Sequence, residues 1–436
     1  MENIMESFKV PSAFENSPGP RGLELLRIGM KFQTDALTAQ SGLFNSYGDF
    51  VVCPWPNRFS VFFFSPTGAK HILKDNQTNY IKGREYSEMK PILGDGLLTS
   101  EGELWRRQRR TMAKEFHQAR LDIYRETIED EAHHLAQSWE NESILDVTDG
   151  LTDYTFKVAG RIFFGNDLAE DSKATKVALD IETHRANKRM RRAFNLPRKF
   201  PTPENIKGEK AVKLLNGVVD KVLTKGIAED NILARLSSFR DAEGAPMNPS
   251  LIRDEVMSLL LAGHETTSTG LMWTLYLLAQ NPKWQDAIRE DQTGLVAKAC
   301  FLEALRIYPP IPVIARISIK DDIIDGHHIP ANTSLVLTQW VTHRDERYWQ
   351  DPLTFKPERF IDCNLKYAQD GTFFPFALGA RACIGEAMAM LEAQVALEVL
   401  MKNFSFELCS GFIPKPNHHV TLRSGNGMLL SLKKRV

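Results

Sequence analysis

The sequence predicts a mainly α-helical chain with a small β region, and three stretches carry that prediction. Residues 253–280 form an apolar run too long for a surface helix, and the polar cluster Gly263-His264-Glu265-Thr266-Thr267 inside it excludes a membrane span. The run is therefore expected to be a buried helix crossing the core. Residues 386–404 contain few breakers and keep Met390, Leu391, Val395, Leu397 and Leu400 at roughly helical spacing. By contrast, Phe50-Val51-Val52 and Val61-Phe62-Phe63-Phe64 flank a Pro54-Trp55-Pro56-Asn57 turn, which predicts a hairpin buried on both faces. From Pro66 onward most of the chain predicts helix. Further strands are expected over 313–319 and 333–338, joined through a turn region at 323–330, and a last hairpin around Ser424-Gly425-Asn426-Gly427.

With 436 residues, 43% hydrophobic and 25% charged, the chain can bury a large core. No repeat, low-complexity tract or Gly/Ser linker divides it, so the expectation is a tail over 1–17 and one domain over 18–436. A formal net charge of −1 supplies no global basic field for nucleic acid. The five cysteines at 53, 300, 363, 383 and 409 are scattered, without a CxxC pair, and point to a reducing compartment. Residues 1–9 carry Glu2 and Glu6 and no apolar run of signal-peptide length. A soluble, cytoplasmic chain with no transmembrane anchor is expected.

Chemistry concentrates at Phe376-Ala377-Leu378-Gly379-Ala380-Arg381-Ala382-Cys383-Ile384-Gly385, just ahead of the second helical run. Backbone N–H groups at that helix start, and the partial positive charge there, should lower the pKa of Cys383. Gly379 and Gly385 lack a Cβ and should let a flat ligand approach, and Arg381 is suited to a carboxylate. A lone cysteine in such a place is more often a packed apolar side chain. Five fixed positions weigh against that, since the pattern arises by chance in about one such chain in ten thousand.

Elsewhere, Trp105, Arg109, Met112 and Phe116 share a helical face, so Trp105 and Arg109 project inward together and Arg109 requires an anion. Arg107, Arg110 and Lys114 lie on another face, either as solvated surface or as a dock for an acidic electron-transfer partner. The basic run His184 to Arg192 is expected to be a solvated helix face followed by a proline-rich loop. Thr266 can bond the carbonyl of Ala262 and open a notch beside Gly263, which weakens the helix locally. Glu303 and Arg306 at i, i+3 form a helix pair worth about 0.2–0.5 kcal/mol if exposed. His327-His328 and His418-His419 are adjacent on strands, point to opposite faces and do not chelate readily.

These motifs together resemble the cytochrome P450 family: the cysteine loop, Ala262-Gly263-His264-Glu265-Thr266-Thr267, Glu303-x-x-Arg306, Phe355-Lys356-Pro357-Glu358-Arg359-Phe360 and Trp105-x-x-x-Arg109. The likeness extends along nearly the whole chain from residue 18. It implies the family's triangular helical prism, with haem b (iron protoporphyrin IX) between the long central helix and the cysteine-loop helix. Cys383 would be the metal ligand, a thiolate that pushes electron density onto iron. Trp105, Arg109, Arg316 and Arg381 would bind the cofactor's propionates, and Phe376, Gly379 and Gly385 would shape its loop. Thr266 and Glu265 would be catalytic: Thr266 hydrogen-bonds dioxygen, and Glu265 with ordered water relays two protons to it. Glu303, Arg306 and Arg359 would be a structural network holding the cysteine loop.

The implied activity is monooxygenation of a hydrophobic small organic substrate with O2, by hydroxylation or epoxidation. The protein would act as a monomer, with electrons from a ferredoxin or flavodoxin and its NAD(P)H-dependent reductase. Two alternatives stay open, a peroxide-driven peroxygenase and a non-catalytic haem-thiolate sensor. Against the sensor, gas binding requires no proton relay of the Glu265–Thr266 kind. Two departures from the family pattern are a short segment over 281–301 and alanine at 377 and 380, where glycine, serine or proline is frequent.

Overall fold

The computed structural model describes residues 12–55, 59–165, 169–192, 195–225, 232–238, 247–361 and 370–435. The acidic segment 1–9, most of the expected tail, the tip of the first turn at 56–58 and Cys363 lie outside the described residues. In chain order the longer elements begin with helices α1 (Gly22–Thr34) and α2 (Ala36–Tyr47) and strands β1 (Phe50–Cys53), β2 (Ser60–Phe63) and β3 (Tyr80–Lys82). Next come α3 (Gly102–Ala113), α4 (Gln118–Ser138), β4 (Ile144–Asp146), α5 (Val147–Phe164), α6 (Ala169–Arg191) and α7 (Pro203–Lys225). The central helix α8 (Pro249–Gln280) leads to α9 (Pro282–Glu290) and α10 (Leu295–Ile307). Strands β5 (Val313–Ser318), β6 (Asp322–Ile324), β7 (His327–Ile329) and β8 (Ser334–Thr338) precede α11 (Glu386–Asn403). Strands β9 (Phe404–Leu408), β10 (Pro416–His418), β11 (Leu422–Ser424) and β12 (Leu429–Lys434) end the chain. The mainly helical class with a small β region is as the sequence predicts. No helix among the described residues is long and apolar enough to cross a membrane.

Helix α8 starts where Asn248 accepts the Ser250 N–H and Pro249 takes the first helical position. Its 32 residues span about 48 Å, and most of them are buried against α5, α10 and α11. Gly263 serves close packing: a Cβ there would come within 3.0 Å of the Phe163 ring and 3.2 Å of Ala159 Cβ on α5. His264 is a satisfied core residue, donating from Nδ1 to Leu260 O at 2.8 Å and meeting the Phe156 ring edge-on. The helix hydrogen-bond pattern runs unbroken through 262–266, so the expected notch is not a gap in the ladder.

One five-stranded sheet has the order β1-β2-β8-β5-β3, with β2–β8 its parallel pair. Strands β1 and β2 are buried on both faces, as predicted. Strand β5 buries Ile314, Arg316 and Ser318 in alternation, which turns Arg316 inward and sets it opposite Lys82 of β3. His327 stacks on Phe50 and His328 lies beside Asp321, and no metal-binding cluster occurs among the described residues.

Three expectations are corrected. No hairpin forms around 424–427, because β11 pairs with β10 while β12 crosses to β9 and β4. The Met428 N–H is drawn to Asp146 Oδ1, which turns the chain from one sheet into the other. The basic run 184–192 is solvated only along His184, Lys188 and Arg192: Arg185 and Asn187 are buried and Arg189 pairs with Glu88 at 2.7 Å. Helix α3 ends at Ala113, so Phe116 is buried from a following 3₁₀ turn rather than from the face shared by Trp105 and Arg109. Within the short segment over 281–301, α9 and α10 are joined by a tight turn at 291–294, where the Asp291 carboxylate accepts the Thr293 and Val296 N–H groups at 2.8 Å.

The first turns of α8 also hold the 94–100 loop. Asp254 accepts the Asp95 N–H at 2.8 Å and Glu255 accepts the Leu97 N–H at 3.0 Å. Burial pushes the Glu255 carboxyl up to about 7, helped by Asp254 and opposed by Leu97, Gln108 and Lys82. An acid raised in the folded state stabilises fully below its unfolded value near 4.5, and that contribution is lost as pH climbs through about 7. The loss amounts to at most about 3 kcal/mol. Urea midpoints of the wild type should therefore fall more between pH 4.5 and 8 than those of Glu255→Gln. Parallel curves for the two proteins would show that Glu255 is not held neutral.

Candidate active site

Cys383 closes a loop built on backbone hydrogen bonds. Its N–H donates to Phe376 O at 2.8 Å, Ala377 N–H to Phe374 O at 3.0 Å, and Ala382 N–H to Gly379 O at 3.0 Å. Phe376 is partly buried against the main core. Gly379 has φ +71°, and a Cβ there would lie 2.2 Å from Leu73 O. Its bare backbone makes room for the turn at His71–Asp75, which packs directly against the cysteine loop. Gly385 caps α11 with φ −92°, a conformation open to other residues, and its N–H donates to the Cys383 sulfur.

Cys383 is solvent-accessible although the protein surrounds it, so it lines an internal space rather than the outer surface. Burial pushes its thiol up; the Gly385 N–H and Arg109 oppose this and Glu386 adds to it. The expected depression is overturned, because burial in the protein outweighs the helix start. A thiolate here requires a cation at the sulfur, as a metal supplies when it deprotonates a coordinating thiol.

Cations converge beside it. Arg381 stacks on Trp105 with its guanidinium carbon 4.1 Å from the ring centre, and it pairs with Glu101. Its Nη1 is buried with no hydrogen-bond partner. Arg316 is buried and donates to Ala315 O at 2.9 Å, while Arg109 is half-buried. Among the described residues neither has a carboxylate partner. Lys82 donates to Leu97 O and Ser100 O at 2.9 Å, and its N–H is taken by Glu101 at 2.7 Å. Burial, with Arg381 and Arg316, pushes the Lys82 ammonium down to about 7 against Glu101 and Glu255. Of these four basic groups, only Arg381 forms an ion pair with a carboxylate, that of Glu101, among the described residues. Lys82 and Glu101 were missed because β3 is three residues long and its pairing with β5 joins residues more than 230 apart.

On α8, Ala262 is exposed and Thr266 half-exposed in the middle of an otherwise buried helix, so this face also opens inward. Thr266 Oγ1 donates to Ala262 O at 3.0 Å. Glu265 points elsewhere: its Oε1 accepts Thr421 Oγ1 at 2.5 Å and Arg423 Nε at 3.0 Å. A separate surface cleft, lined by Thr67, His71, Asp75 and Asp325, includes none of these groups.

Beneath the loop, Glu303 and Arg306 are fully buried and joined twice, at 2.7 and 2.8 Å. Arg359 Nε reaches Glu303 at 3.4 Å, and the Lys356 N–H reaches it at 2.9 Å. Arg306 donates to His343 O at 2.8 Å, and His343 Nε2 accepts the Phe374 N–H at 3.0 Å, two residues before the cysteine loop.

The profile of the family described as Cytochrome P450 matches residues 17–431. The chain belongs to the cytochrome P450 family. Cyclooctatin synthase of Streptomyces melanosporofaciens is 30% identical over 83% of this P450 and 83% of its own length. Protein LUTEIN DEFICIENT 5, chloroplastic, of Arabidopsis thaliana is 26% identical over 90% of this chain and 73% of its own. Cytochrome P450 4F3 of Homo sapiens is 27% identical, with 89% and 84% covered. This P450 is a haem-thiolate monooxygenase whose cofactor is iron protoporphyrin IX. The residues fit that group: an enclosed accessible thiol suits its iron, and cations lacking carboxylates suit its two propionates.

Replacing Glu303 with alanine leaves Arg306 buried and uncompensated, which should cost about 3–5 kcal/mol. Urea unfolding of wild type and Glu303→Ala measures this. A loss under about 1 kcal/mol would show that the pair is not desolvated as the geometry indicates.

Proposed function

We propose that this P450 inserts one oxygen atom of O2 into a hydrophobic small organic substrate, by hydroxylation or epoxidation, and reduces the other to water. Two electrons come from a ferredoxin or flavodoxin with its NAD(P)H-dependent reductase, and two protons come through the protein. The observation that carries this reading is the enclosed Cys383 thiol in a protein whose central helix opens inward at Ala262 and Thr266. The catalytic unit is one domain over 18–436, working as a cytoplasmic monomer.

When bound, the haem supplies the centre at which dioxygen is reduced and cleaved, favoured by a thiolate ligand. Cys383 is that ligand, held by the Phe376 carbonyl and the Gly385 N–H. Trp105, Arg109, Arg316, Arg381 and Lys82 would hold the propionates, which answer the unpartnered Nη1 of Arg381. Glu303, Arg306 and Arg359 fix the loop through His343 and Phe374. Thr266 donates its hydroxyl hydrogen to Ala262 O, which leaves the oxygen lone pairs free to accept a hydrogen bond. Glu265, the next residue, is the carboxyl that carries protons toward it.

Leu97, Leu98 and Ile311 are partly exposed and offer aliphatic surface on the 94–100 loop and just before β5. That surface favours a lipophile of terpenoid, steroid or fatty-acid type. A lipophilic library should contain ligands that shift the haem spin state, and one of these should be oxygenated with substrate-dependent NAD(P)H consumption. Equal rates from hydrogen peroxide alone would support the peroxygenase, and no ligand-dependent turnover would overturn the monooxygenase reading. Cys383→His should abolish the thiolate-specific carbon monoxide spectrum of the reduced protein. Thr266→Ala should retain that spectrum and lower product formed per NAD(P)H by about 10²-fold or more if the hydroxyl is essential to proton transfer. An unchanged spectrum in the first variant, or unchanged coupling in the second, contradicts the assigned role.

A further inference from the structure

Residues 180, 184, 187 and 191 repeat at steps of four, three and four, so Asp180, His184, Asn187 and Arg191 share one face of α6. That face meets the β10–β11 pair contact by contact. Asp180 Oδ1 accepts Arg423 Nη2 at 2.9 Å, and the His184 and His419 rings lie 5.6 Å apart. Asn187 is 3.1 Å from His419 Nδ1, Asn417 is 3.1 Å from His419 Nε2, and Arg191 donates to His418 O. With both ring nitrogens engaged, His419 is fixed between the two elements.

The polar seam continues into α8. Arg423 Nε and Nη2 both address Glu265 Oε1, at 3.0 and 2.9 Å, and the Thr421 hydroxyl donates to the same oxygen. Among the described residues Glu265 Oε2 has no hydrogen-bond partner. Side-chain exposure falls from 55% at Asp180 to 34% at Arg423 and 6% at Glu265, so charged groups run from solvent to the middle of α8.

We propose that Arg423 is a positioning residue that holds Glu265 by one oxygen and leaves the other free to carry a proton, and that Asp180 on α6 keeps it in this pose. The inference rests on the reading of Glu265 as proton carrier. The Nε–Nη2 edge of a guanidinium is shaped to take both oxygens of one carboxylate. Here it does not, because Nη2 is shared with Asp180. Without Asp180, Nη2 can slide to Oε2, closing a two-pronged pair that occupies the carrier oxygen. Burial works against the Arg423 charge, but Glu265 and Asp180 outweigh it, so the guanidinium stays protonated as a fixed donor. Withdrawal of α6 would act as removal of Asp180 does. Proton supply is therefore tied to docking of α6 on the hairpin.

The test uses the haem-loaded protein with its reducing partner. Asp180→Asn should lower product per NAD(P)H about fivefold and raise the solvent deuterium isotope effect on turnover. Arg423→Lys cannot form the two-pronged pair, so Asp180→Asn with Arg423→Lys should recover coupling toward wild type. Amide hydrogen exchange across 180–191, read without turnover, should quicken about fivefold in both Asp180→Asn and Arg423→Gln. If Glu265→Gln keeps wild-type coupling and isotope effect, the proton-carrier reading fails. If Glu265→Gln uncouples while Asp180→Asn matches wild type, or the double variant does not recover, the role of Arg423 is overturned. Unchanged exchange in both single variants removes the link to α6.

Discussion

Enclosing a thiol beside cations that are only partly neutralised is the constraint on which this structure depends. A buried guanidinium without a carboxylate is costly, and desolvation holds a thiol protonated. Arg381 Nη1 has no partner, Arg316 has only a backbone carbonyl, and Cys383 is pushed up by burial. A metal centre carrying two carboxylates answers all three at once. The protein alone is therefore electrostatically incomplete, and binding of the cofactor contributes to the stability of the fold that binds it.

Such a site has to be built on rigid elements. The Glu303–Arg306 pair sits at the end of α10 and reaches the cysteine loop through His343 and Phe374. Trp273 of α8 stacks on Tyr308 at 4.0 Å and donates to Leu422 O at 2.7 Å, which fastens the C-terminal hairpin to the central helix. The hairpin thus moves with α8. Its contacts to α6 are polar side-chain bonds, cheaper to exchange for water than buried apolar area. Ala377 adds a local cost, since φ +59° in the cysteine loop is unfavourable for a residue with a Cβ.

What the sequence made legible was local. The cysteine loop, the Ala262–Thr267 block and Glu303-x-x-Arg306 are contiguous motifs, and the long periodic runs gave α8 and α11 nearly to their ends. Lys82, Glu101, Thr421 and Arg423 belong to the site through pairings that cross the chain, and no local pattern marks them. The basic run on α6 misled because charge was taken as a sign of solvent, whereas its carboxylate and backbone partners lie elsewhere in the sequence. The sign of the Cys383 shift was missed because the helix start is visible in sequence and the depth of burial is not.

The placement of Glu265 and Thr266 explains why the pair needs a third participant. Consecutive helical residues project about 100° apart, so Thr266 faces the internal space while Glu265 faces the hairpin. The carboxyl therefore cannot rest against the hydroxyl in this arrangement. A proton passes between them only through a rotation of Glu265 or through water between the two directions. Either route requires an oxygen not already held, and Oε1 has three donors. If Glu265 carries the proton as proposed, the path depends on Oε2, and the guanidinium of Arg423 is the group placed to keep Oε2 open or to close it.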